Sequence, residues 1–333
     1  TVNLPAGSAG AQIGLQDYAG TWDSNNCTVA ANGSEKIQGS TDDAIFSRDR
    51  EALQIIYVDS TQGWVVTSVA DQGGTQSEYV TASGGTETTS GDFKIHTFTG
   101  DGTFTVSSVG NTAGSTTVDY LVIAGGGAGG GTPCGGNQRG GGGGAGGYRE
   151  SFPNPATGGL SVSAQAYPIT IGAGGTVSGI VGSNGSNSIF STITSAGGGK
   201  GAHQEAPSPG AAGSGGSGGG GSSSNTSGGS GNTPPVSPSQ GNNGGDSTGY
   251  NNQGGGGGGA GEAGNTDGTG DGGDGVASSI TASSVTRGGG GAGVSGPAGG
   301  AGGGGAFVPG VGCAAAGTAN TGGGGGAGYG APN

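Results

Sequence analysis

Seven stretches of this chain are built almost wholly from glycine: Gly125–Gly131, Gly140–Gly147, Gly197–Gly201, Gly254–Gly261, Gly288–Gly293, Gly299–Gly305 and Gly322–Gly328. Alanine is their commonest interruption. Glycine is about 1 kcal/mol worse than alanine in a helix and loses the most entropy when fixed. A strand of pure glycine has no side chains to bury. The ordered conformation left is an extended polyproline-II-like rod, with three residues per turn and ~3.1 Å rise. Such a rod makes no internal hydrogen bonds, so every N–H and C=O must find a partner outside it.

Collagen supplies the packing rule. Glycine is needed there at every third position because one side of each chain faces a crowded axis. A rod crowded on all sides needs glycine, or occasionally alanine, at every position. Uninterrupted runs such as Gly254–Gly259 are therefore expected inside a lattice of rods, and runs carrying side chains at its surface. Rods of this length span roughly 25–30 Å at that rise. The competing reading is a flexible Gly/Ser linker, and for residues 211–231 both readings stay open.

Only 16 of the 93 glycines lie in the first 117 of 333 residues. Over the whole chain the apolar fraction is 29%, too little for a conventional core throughout. The formal net charge of −13, with eight Lys and Arg, argues against nucleic acid and anionic membrane surfaces as partners. No apolar stretch is long enough to span a bilayer as a helix, and no secretory leader is visible. Three cysteines, Cys27, Cys134 and Cys313, are widely spaced with no CxxC pair. A Cys134–Cys313 bridge is possible; free thiols are the expectation.

The sequence divides into a β-rich module (1–66), a Gly/Ser/Thr linker (67–90), a hairpin and strand connector (91–124) and a glycine-rich domain (125–333). In the first module Ile13 and Leu15 alternate with polar neighbours, as do Cys27 and Val29. Asn32-Gly33 signals a two-residue hairpin, because both central positions of a type I′ turn need positive φ. Glu51 to Val58 and Trp64 to Val66 read as strands. So thin a core favours association with further copies of the chain. Phe93 to Val106 reads as a hairpin turning at Gly100-Asp101-Gly102, and Val118 to Ala124 as a strand entering the first rod.

Chemistry-bearing motifs are poor. Gly-x-Gly-x-x-Gly matches carry no information in a glycine-saturated region. Gly198-Gly199-Lys200 lacks the Ser or Thr of a P-loop, and the Gly-x-Ser-x-Gly match at Gly215–Gly219 is what composition alone gives. With only His96 and His203 present, no catalytic triad is expected. Asp267, Asp271 and Asp274 could gather around Ca²⁺, but their spacing is not that of an EF-hand and a solvated acidic loop is expected. No cofactor and no metal are expected.

The stretch GLQDYAGTWDSNNC…GWVV (Gly14–Val66) resembles a module of phage tail fibres and related virion proteins. The stretches GDFKIHTFTGDGTFTV…VDYLVIAGGGAGGG, RGGGGGAGGYRES and GSNGSNSIFSTITSAGGGKG resemble the glycine-rich domain of many phage structural proteins. The design is also similar to the adhesins that cap tail fibres of T-even-type phages. Those pack polyglycine II rods side by side and present variable loops to outer-membrane receptors. The chain departs from that domain in ending GAGYGAPN rather than in an apolar strand, which leaves the anchoring of the last rod in question.

The resemblance implies a homotrimer in an extracellular virion fibre, with other tail proteins and a host surface protein or glycan as partners, and no enzymatic activity. The fold class expected is mainly β plus polyglycine II, with almost no α-helix. Candidate receptor contacts lie on connections carrying aromatics and amides: Tyr148, Arg149, His203, Tyr250, Asn251, Asn252, Phe307 and Tyr329. Rival readings are a purely structural fibre or decoration protein and a secreted ice-binding or silk-like protein. A glycan-degrading spike would need paired carboxylates in a groove.

Overall fold

The computed structural model describes residues 1–71, 78–111, 114–132, 139–152, 158–204, 210–225, 227–248, 253–296, 298–308 and 315–329. These residues form strands and extended rods, with no helix among them. The chain divides into one compact unit of residues 1–79 and 110–115 and a second of residues 80–109 and 116–333.

In the first unit Gln12–Gln16, Glu51–Asp59 and Gly63–Asp71 make an antiparallel sheet in that order, with Ile13 opposite Ile55 and Leu15 opposite Leu53. Val2–Asn3, Cys27–Ala30 and Ala44–Phe46 make another, the first pair parallel. Alternation sends Leu53 and Ile55 inward, where they meet Leu4, Val29, Ile37 and Trp64. The Trp64 indole is fully buried, lies edge-on to Tyr57 and donates to the Glu35 carboxylate (3.3 Å).

Two local expectations are corrected here. Asn32-Gly33 does turn, since Glu35 N–H donates to Asn32 C=O (3.0 Å) and Gly33 takes φ +59°, but it does not join paired strands. Only Gly33 of the two has positive φ, and Cys27–Ala30 pairs instead with Ala44–Phe46. The expected linker is also partly strand: Gly63–Asp71 runs into it, and Thr81–Ser83 and Thr86–Ser90 lie within it. Threonine-rich segments suit a pleated, half-exposed surface as well as they suit a linker.

The second unit holds a five-stranded sheet in the order Ile193–Ser195, Ser188–Phe190, Ala166–Thr170, Gly102–Ser108, Thr81–Ser83. Phe104, Val106, Tyr167 and Ile169 form its core, with Phe104 edge-on to Phe190. The hairpin expected over Phe93 to Val106 is not formed. Phe93–Thr97 pairs backward with Thr86–Ser90 across a turn in which Gly91 has φ +55°. Gly102–Ser108 pairs with Ala166–Thr170, and Asp101 Oδ1 holds that register by accepting from Ile171 N–H (2.8 Å).

From Leu121–Ile123, paired antiparallel with Tyr148–Glu150, the chain enters the glycine region. Its runs are rods, and the hydrogen bonds give their period. In the rod 140–147 the N–H groups of Gly141, Gly144 and Gly147 donate to Ala202, Gly199 and Ala196. Those of Gly142 and Ala145 donate to Gly255 and Gly258, and those of Gly143 and Gly146 to Gly325 and Gly322. Every third residue thus faces the same neighbour, as three residues per turn requires.

The same rod accepts from three more. Gly130, Gly127 and Ala124 donate to Gly141, Gly144 and Gly147; Gly220 and Ser217 to Gly142 and Ala145; Val294 and Gly291 to Gly140 and Gly143. Six rods therefore surround one, in hexagonal packing of polyglycine II. Residues 216–221 take part as a rod, which settles the open reading of that stretch in favour of structure. The last rod is held by backbone bonds, with Gly324, Gly325 and Ala327 donating to Gly289, Gly127 and Ala292, and it ends in the strand Gly328–Tyr329 paired with Gly131–Thr132.

Candidate functional site

The register of the rods defines two ends of the lattice. At one, Ala124, Gly147, Ala196 and Gly288 lie beside the sheets; at the other the rods run out through Gly131, Ala202, Gly221, Gly245, Val294, Gly305 and Gly328. The expected contact residues are split between these ends.

Tyr148 and Arg149 are at the sheet end, and Tyr148 is not exposed as expected. It is buried, on a strand opposite Ile123, and its hydroxyl donates to Glu150 (2.8 Å). Ser278 donates to the other Glu150 oxygen. Burial raises the Tyr148 pKa and the Glu150 carboxylate raises it further, so the phenol stays protonated and donating. Arg149 is half-buried and reaches Thr194 C=O (3.4 Å). Both side chains fasten the hairpin Val276–Ser278/Val285–Arg287 and the sheet strand Ile193–Ser195 to the lattice, a role the sequence alone did not suggest.

Gln240 was also missed. It is 1% exposed, accepts from Ala196 N–H through Oε1 (2.8 Å) and donates to Pro234 C=O (2.9 Å), while its own C=O takes the Tyr148 N–H (2.8 Å). One residue thereby satisfies the N–H groups of Ala196, through its side chain, and of Tyr148, through its main chain, at the end of their rods. The available signal was a lone amide just after the proline-rich 234–238.

The remaining candidates belong to the far end. His203 is buried rather than exposed in a loop, because its N–H and C=O pair with Gly210 (3.2 and 3.1 Å). Beside it Gln204, also buried, bonds Ser223 and Ser224, and Arg139 and Ser223 bond each other. Buried hydroxyls and amides therefore finish the rods here. Phe307 is half-buried and Val308 40% exposed. Tyr329 pairs with Thr132 along a short parallel ladder. Tyr250, Asn251 and Asn252 lie outside the described residues, as do Cys134 and Cys313; their flanks, Ser247 and Gln253, are tied by Ser247 Oγ to Gln253 C=O (2.9 Å).

The acidic trio is rearranged. Asp267 and Asp274 come together with Glu262, their oxygens within 4.8 Å, and Asp271 stands apart. These carboxylates terminate backbone: Asp271 accepts from Ala298 N–H (2.9 Å), Asp274 from Ala301 N–H (2.6 Å) and Glu262 from Asp274 N–H (3.1 Å). In the first unit Cys27 is a free thiol whose pKa burial pushes up. No helix of the described residues is long and apolar enough to cross a membrane.

The fold defines a protein whose larger part is a packed bundle of glycine rods, with only small side chains such as those of Ala128, Ala145, Ser217 and Ala292 buried among them. Residues 97–333 match the model of the glycine-rich domain family, and the chain belongs to that family. Comparison with curated proteins gives no match.

Proposed function

We propose that this chain is a phage tail-fibre protein that attaches the virion to its host through the far end of the rod lattice, without enzymatic chemistry. The observation that carries the reading is the six-fold surround of the rod 140–147 by hydrogen-bonded neighbours. Rods so held fix both ends of every connection at the far end, so little entropy is lost when those connections dock. The connections carry tyrosine, phenylalanine, asparagine, glutamine and serine and few charges. That chemistry suits a neutral glycan or a protein surface.

The first unit, with its single small core, serves in this reading as the oligomerising module of a homotrimer. The fibre is extracellular and joins other tail proteins through regions outside the lattice. The test is competition. On cells that a phage carrying this chain infects, purified chain should block adsorption in a saturable way. Val308→Asp, and Tyr250→Ala with Asn251→Ala, should weaken the block while leaving thermal unfolding unchanged. A folded chain that fails to compete would leave a purely structural virion role.

A further inference from the structure

The chain contains three Asn-Gly pairs: Asn32-Gly33, Asn184-Gly185 and Asn243-Gly244. In this dipeptide the glycine nitrogen can attack the asparagine Cγ. The new N–C bond closes a succinimide ring, the side-chain nitrogen leaves as ammonia, and water opens the ring at either carbonyl to give aspartate or isoaspartate. The step requires the glycine N–H to be released from any acceptor and the amide carbon to rotate toward it.

All three asparagines are exposed, so access to water does not separate them. Hydrogen bonding does. Asn184 Oδ1 accepts from Lys200 N–H (2.9 Å), and Gly185 N–H donates to Gly198 C=O (2.9 Å). Asn243 Oδ1 accepts from Gly231 N–H (2.9 Å), and Gly244 N–H donates to Gly229 C=O (3.0 Å). In both pairs electrophile and nucleophile are pinned by neighbouring rods. Among the described residues neither the Asn32 side chain nor the Gly33 N–H has a hydrogen-bond partner. Gly33 also carries the left-handed φ of +59° at the tip of an exposed turn.

We infer that Asn32 is a site of spontaneous deamidation and isoaspartate formation in this protein, and that the rod lattice protects Asn184 and Asn243 from the same reaction. The product matters locally. Isoaspartate adds a methylene to the main chain inside the turn closed by Glu35 N–H on Asn32 C=O. It also places a second carboxylate in the turn with Glu35, whose own carboxylate holds Gly7 N–H (2.9 and 3.1 Å) and the Trp64 indole.

The test incubates the full chain at mildly alkaline pH and physiological temperature. Peptide mapping then follows the mass gain of amide-to-acid exchange at each site, natively and in denaturant. Asn32 should deamidate at least an order of magnitude faster than Asn184 or Asn243 in the native chain, and the three rates should converge in denaturant. Native rates that are equal, or a native order that persists unchanged in denaturant, would overturn the inference.

Discussion

Gly142 and Gly291 belong to adjacent rods, and the carbonyl oxygen of Gly291 occupies the space a Cβ on Gly142 would need. The N–H of Gly291 meanwhile donates to Gly143 C=O (2.9 Å), so the rods cannot separate without losing bonds. Relief in one direction is contact in another, because six rods surround this one.

Gly142→Ala is accordingly expected to destabilise the second unit by about 1–3 kcal/mol, as overpacking does in a dense core. Gly174→Ala is the control. A Cβ there meets nothing closer than Gly126 C=O at 3.8 Å, so the change should stay within about 0.5 kcal/mol. Thermal unfolding of the two variants side by side checks this; equal stability would mean that the rods are not packed as described.

Gln240→Leu keeps the volume of the buried side chain and removes its polar atoms. Ala196 N–H then loses its acceptor and Pro234 C=O its donor. Pro234 is exposed, but leaving the buried Ala196 N–H unpaired should cost about 1–3 kcal/mol. The loss is read as a lower unfolding temperature, with amide exchange rising first around Ala196 and Tyr148.

Asp17 makes the first unit pH-sensitive. Burial works to raise its pKa, but the N–H groups of Arg50, Trp22, Thr21 and Gly20 bond its carboxylate and outweigh burial, so the pKa is lowered from 3.8. A lowered folded value means stability that is present above pH 3.8 and lost as pH falls through the folded value. Asp17→Asn should be less stable than wild type at neutral pH, and the gap should close in strong acid. Denaturant titrations across that range check the sign.

How much was legible follows from what carries each feature. Leu15 opposite Leu53 could be read from alternation, and the rods from the lack of any side chain to hold a strand or helix. Gly143 opposite Gly325 could not, because every rod offers the same backbone and composition does not label partners. The turns failed for a related reason: Asn32-Gly33 and Gly100-Asp101-Gly102 announce a reversal but not which strand is waiting, and Asp101 chooses through Ile171. Tyr148 and His203 were expected at the surface as aromatics beside glycine. Their burial goes with partners that composition does not reveal, Ile123 on the paired strand and Gly210 in an isolated bridge.

The last rod gives a test of cooperativity. Gly143 and Gly146 near the start of the lattice donate to Gly325 and Gly322 near its end, and Gly325 in turn donates to Gly127. A chain ending at Asn320 would strip acceptors from the N–H groups of the centrally placed rod 140–147 and a donor from the Gly127 carbonyl of its neighbour, while removing almost no apolar surface. If hydrophobic burial in the five-stranded sheet held the unit together, this truncation would be nearly silent. If sideways backbone bonds hold it, amide protection should fall throughout residues 124–131, 140–147 and 288–294, far from the cut in sequence. The N–H groups of Gly143 and Gly146 should exchange earliest. Hydrogen exchange on the truncated chain decides between the two, and protection retained at Gly143 would show that the rods stand without one another.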